Sequence, residues 1–109
     1  MSFAENVAIE FDKYGQEVKI INGKDVFVTR AFIEPLRYKH KLYVGGEYRD
    51  LKGTGKYLYI GKPGFDLKEQ TTVIKANGMR YLVIRVETYC VNDSKIYDWA
   101  ILKFKGSEE

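Results

Sequence analysis

Two Asn-Gly pairs, Asn22-Gly23 and Asn77-Gly78, each lie between runs rich in Val, Ile, Tyr and Phe, and they constrain this chain more than any other feature. Asn-Gly readily supplies the positive φ angles of a type I′ turn, whose twist matches that of antiparallel strands. The first pair predicts a hairpin of residues 17–21 and 25–36, with Pro35 ending the ladder because proline has no N–H to donate. The second predicts a hairpin of residues 71–76 and 80–91. A strand over 57–61, a loop over 62–70 around Pro63-Gly64, a turn at Asn92-Asp93-Ser94 and a last strand over 95–104 complete a set of six. Residues 2–14 read as a short helix, with Ser2 as cap and Val7 and Phe11 spaced four apart on one face.

Six short strands in 109 residues close most economically into a small antiparallel barrel, because closure removes the edges that invite aggregation. The expected fold is therefore all-β, one domain over 1–109. It has a short N-terminal segment (1–15), one long basic loop (37–56) and a frayed tail (106–109). A composition of 45% hydrophobic and 30% charged residues belongs to a chain that buries a core. No apolar run approaches the ~20 residues of a membrane-crossing helix, so no membrane partner is expected. The single cysteine, Cys90, cannot close an intramolecular disulfide, and polar residues after Met1 point to synthesis in the cytoplasm.

Charge is concentrated in residues 37–56, RYKHKLYVGGEYRDLKGTGK. Arg37, Lys39, Lys41, Arg49, Lys52 and Lys56 stand against Glu47 and Asp50, a local net of +4 in a chain whose total is +3, so the remainder sums to −1. A connection this long inside a small domain is usually functional or disordered. Clustered cations with interleaved Tyr38, Tyr43 and Tyr48 are what a phosphate backbone attracts. The bland alternative is a solvated surface loop kept polar for solubility. Gly45-Gly46, Gly53 and Gly55 predict a segment that is mobile until a partner orders it.

Catalytic chemistry has little to stand on. His40 is the one histidine and lies in the basic segment, remote from Cys90, so there is neither a triad nor a zinc-ligand cluster. It reads with the loop, as a solvated or partner-facing residue. The run Lys52-Gly-Thr-Gly-Lys56 lacks the spacing of a phosphate loop and enters a strand rather than a helix. Cys90 reads as a small buried hydrophobe and Glu87, Asp93 and Asp98 as solvated carboxylates. Trp99 shares a face with Tyr97 and Ile101 while Asp98 takes the other, which makes the indole a barrel-core or interface anchor. In the strand over 80–91, Leu82, Ile84 and Val86 alternate with Arg85 and Glu87 and are expected to point inward. No enzyme activity, cofactor or metal is expected.

Residues 31–39 (AFIEPLRYK), 57–61 (YLYIG), 77–83 (NGMRYLV) and 96–102 (IYDWAIL) carry a resemblance of another kind. In the order and spacing of these elements, over about residues 16–105, the chain resembles small head-completion proteins. These are the stopper or head-closure proteins of long-tailed phages and related Gram-positive prophages. The resemblance implies a β-barrel that assembles as a homo-oligomeric ring beneath the portal and its adaptor, in the host cytoplasm during assembly and then in the virion. Such a ring closes the channel on packaged DNA and offers a surface to tail proteins. It also implies that the loop facing the channel is the one carrying Arg37, Lys39, His40, Lys41, Arg49, Lys52 and Lys56. The residues read alone leave a rival: a monomeric barrel that binds nucleic acid directly through Arg37, Lys39, Lys41 and the tyrosines among them.

Overall fold

The computed structural model describes residues 3–36, 42–44, 47–49 and 56–107. A 12-residue helix, α1 (Phe3–Tyr14), is followed by β1 (Gln16–Asn22) and β2 (Asp25–Pro35). Then come β3 (Leu42–Val44), β4 (Glu47–Arg49), β5 (Lys56–Gly61), β6 (Val73–Ala76), β7 (Met79–Val91) and β8 (Ser94–Ser107). Six of these strands close an antiparallel barrel in the order β1-β2-β5-β8-β7-β6, while β3 and β4 form a separate two-stranded sheet. The expected all-β barrel is therefore present. The long connection between β2 and β5 contains a hairpin that its glycines and charges did not announce.

Inward positions alternate along each strand, as the pleat requires. Val18 and Ile20 of β1, Ala31 of β2, Tyr59 of β5, Ile74 of β6 and Ala100 and Leu102 of β8 are buried and fill the barrel together with Tyr81 and Val83 of β7. Leu67, from the 62–72 segment, adds a plug at one end. That segment is tied down by Asn22, whose Nδ2 donates to the Phe65 carbonyl at 2.8 Å and whose Oδ1 accepts from Thr72 Oγ1. Helix α1 lies on the outer face, with Phe11 tilted against Phe32 of β2 at 5.5 Å. Gly15 makes this packing possible, because a Cβ there would sit 2.6 Å from the Phe11 carbonyl oxygen and 2.9 Å from the Ala31 nitrogen.

The turns divide by residue type. Asn77-Gly78 has φ of 51° and 74°, the paired positive angles of type I′. Asn92-Asp93 does the same with 48° and 67°. At the first hairpin Asn22 is instead the last residue of β1, opposite Asp25, so Gly23 and Lys24 form the turn and Gly23 alone has a positive φ. That is the type II′ pattern, and it frees the Asn22 side chain for its cross-barrel bonds. β2 ends at Pro35, opposite Tyr57, and one more backbone bond, Leu36 N–H to Lys56 O at 3.0 Å, fixes where the connection leaves and returns.

Five inward or outward assignments are corrected by the barrel. Ile84 does not point into the core: Val83 pairs with Leu102 and Arg85 with Ile101, so Ile84 is the extra residue of a bulge. Such a residue shifts the alternation by one. Tyr81 and Val83 face inward before it, so Leu82 between them faces outward instead of inward, and Val86 packs on the core after it. Cys90 is exposed rather than buried. Pairing of β8 with β5 begins at Asp98, and pairing of β6 with β7 reaches no further than Leu82. Tyr89–Val91 and Ser94–Tyr97 therefore stand beyond the barrel as a two-stranded arm, where Tyr89 and Tyr97 stack at 5.0 Å. Asp98 is 4% exposed, not solvated, because β8 turns Ile96, Asp98, Ala100 and Leu102 inward. Trp99 consequently lies on the outer face with Tyr97 and Ile101, which removes its barrel-core reading.

Candidate nucleic-acid interface

The antiparallel ladder decides which charges meet. β2 stops and β5 starts at one end of the barrel, called here the connection end, where β6 also turns into β7 at Asn77-Gly78 and β8 runs out towards Ser107. The far end carries the turns at 23–24 and 92–93 and the 62–72 segment.

Of the residues expected to form the basic face, Lys56 opens β5, is exposed, and sits directly opposite Lys103 of β8. Two like charges in register cost a few tenths of a kcal/mol or more. They are tolerated where water or an external anion screens them. Lys105 adds a third exposed cation, bulged out of register between Phe104 and Gly106. Sequence reading missed Lys103 and Lys105. The signal that finds them is the β5–β8 register, because residues 47 positions apart in the chain become neighbours only in the ladder.

Within the connection, Arg49 and Tyr48 lie on β4 and Tyr43 on β3, with Tyr43 and Tyr48 direct cross-strand partners. Arg37, Tyr38, Lys39, His40, Lys41 and Lys52 lie outside the described residues. Trp99 is not at the connection end. It lies on the outer wall, half-buried, with the Arg85 guanidinium carbon 5.8 Å from its ring centre, a cation–π contact between β7 and β8.

The far end has a different chemistry. A cleft of about 260 Å³ there is lined by Asp66, Glu87, Thr88, Lys95 and Asp98 among others. Thr88 Oγ1 donates to Asp98 Oδ1 at 2.5 Å. Burial pushes the Asp98 carboxyl above the ordinary carboxylate range, opposed by the Thr88 hydrogen bond and the Lys95 charge. The buried Tyr59 hydroxyl has no hydrogen-bond partner among the described residues, and burial, then the Asp98 charge, pushes its pKa up. Among the described residues, no three His, Cys, Asp or Glu side chains are grouped so as to hold a metal ion. No helix among them is long and apolar enough to cross a membrane. No protein-family model, curated protein or solved structure matches the chain.

Proposed function

We propose that this chain is a structural, non-enzymatic protein of a phage or prophage head-to-tail connector. In this reading copies of the barrel form a ring under the portal and adaptor, hold packaged DNA in the channel, and present a surface to tail proteins. Assembly takes place in the bacterial cytoplasm and the ring ends in the virion. The observation that carries the reading is a closed six-stranded barrel whose one long, cationic connection leaves and returns between β2 and β5. A rigid barrel gives a ring its repeating unit, and the connection supplies a cationic element with its own β3–β4 hairpin. Strand addition between neighbouring copies of that hairpin is one route to a plug.

The rival, a monomeric nucleic-acid-binding barrel, is favoured by the Lys56–Lys103 pair, since a cationic barrel end needs no ring to attract phosphate. Light scattering separates the two. The connector reading predicts that the purified chain forms a discrete ring alone or on a portal–adaptor complex, and binds DNA weakly as a monomer. Submicromolar DNA binding at physiological salt by a strict monomer, with no association with portal or adaptor, would replace it with the rival.

A further inference from the structure

The connection end is not the whole of the positive surface. β1 pairs with β6 and β6 with β7 in a register that places Lys19 opposite Lys75 and Lys75 opposite Arg80. All three occupy outward positions, because Val18, Ile20, Ile74, Ala76, Tyr81 and Val83, their neighbours along the strands, point into the core. Lys75 is engaged elsewhere in the chain and does not enter the count. Lys19 and Arg80 are exposed, and no carboxylate pairs with either among the described residues. With strands ~4.8 Å apart, they stand roughly 10 Å from each other across the wall.

The contrast with the far end gives this row its meaning. There three cations are matched within the molecule, Lys62 with Asp12 at 2.5 Å, Lys68 with Asp66 at 3.6 Å and Arg85 with Glu87 at 3.8 Å, while Lys24 and Lys95 are exposed without an ion-pair partner among the described residues. On the wall and connection end Lys19, Lys56, Arg80, Lys103 and Lys105 have no such match among the described residues, where Glu17 and Glu34 are among the exposed acids on the same strands or their neighbours. Next to the charged row runs an apolar one in register, Val26–Ile21–Val73–Leu82, which continues to Lys103 and Lys56. A wall of spaced, unmatched cations around the side of a barrel suits a ligand that presents charge repeatedly along its length. It does not suit one that offers a single anionic group.

We infer that the outer wall of β1, β6 and β7, through Lys19 and Arg80 with Lys103 beside them, is a second contact surface for the phosphate backbone of duplex DNA, separate from the β2–β5 connection. The wall itself follows from the register. The choice of DNA as the polyanion rests on the connector reading, in which packaged DNA is the polyanion at hand. Contacts of this kind carry no base specificity and fix how the subunit lies along the duplex.

The test compares the full chain with Lys19→Gln/Arg80→Gln and with a charge-matched control at the far end, Lys24→Gln/Lys95→Gln. Binding to a fluorescent DNA duplex is measured by anisotropy from low to moderate salt, with circular dichroism confirming the fold of each. Losing two phosphate contacts lowers the salt slope by about 1.8, or roughly 12-fold less affinity lost over a fourfold rise in salt, for the wall variant. The control keeps the wild-type slope. Equal slopes for wall variant and wild type overturn the inference, as does a wild-type chain with no measurable binding at low salt. Displacement of the duplex by polyglutamate at equal charge concentration would also overturn it, by making the wall a dock for an acidic protein. Light scattering on the same samples reads ring assembly. A ring with an unchanged slope sinks the inference alone, whereas a lost slope without any ring leaves the wall and sinks the connector reading.

Discussion

Asp98 is the residue whose environment and type are least alike. It sits in register with Gly61 of β5 and Thr88 of β7, on the inward face of β8. A carboxylate there gives up hydration for one hydroxyl donor and the Lys95 charge, and its pKa is raised above the usual value. A folded-state pKa above the unfolded value means that the folded chain holds the proton more tightly. That contribution to stability is fully present below the unfolded value of about 3.9 and is lost as pH rises through the folded value. Asp98→Asn keeps an oxygen for Thr88 and removes the charge. The variant is expected to match or exceed wild-type thermal stability near neutral pH, and to lose part of the stability the wild type gains between about pH 7 and about pH 4. Melts across that range check it, and a variant much less stable than wild type near neutrality would show that the charge is well solvated.

Bulges and strand ends decide what the alternation of residue types means. The turn residues made the hairpins legible, since Asn77-Gly78 and the acidic Asn92-Asp93 pair both adopt the paired positive φ their chemistry favours. Barrel closure followed from counting strands. The inward face of β7 was not legible, because Leu82, Ile84 and Val86 alternate correctly in sequence and the bulge at Ile84 is set by how β8 pairs across from it. Val83→Asp is therefore expected to prevent folding, since an unpaired buried carboxylate costs several kcal/mol against roughly 5 to 15 for a whole domain. Ile84→Asp, on the outer face, should cost on the order of 1 kcal/mol in urea denaturation. Equal effects of the two would contradict the bulge. The same logic applies to the arm of Tyr89–Val91 and Ser94–Tyr97, which pairs with no third strand among the described residues. Cys90 there should react with a maleimide in the native protein at a rate close to that of the urea-unfolded chain, and strong protection would indicate that the arm is covered.

At the scale of the molecule, the barrel and its connection are separable in physical terms. Leu36 and Lys56 are already joined by a backbone hydrogen bond, and Pro35 pairs with Tyr57, so the points of departure and return are set by the β2–β5 ladder and not by what lies between. Replacing residues 37–55 with about five Gly and Ser residues shortens the connection by two halvings. That lowers its closure cost by about 1.2 kcal/mol. The replaced residues hold five cations and two acids, so 13 Lys and Arg face 13 Asp and Glu and the net charge falls from +3 to 0. The shortened barrel should fold with unchanged or slightly higher stability, and DNA affinity should fall to what the wall alone supports. In a phage that depends on this chain, heads should fill and then lose DNA. Filled, stable and infectious particles carrying the shortened chain would remove the channel-closing role from the connection. Failure of the shortened barrel to fold would show that residues 37–55 belong to its architecture.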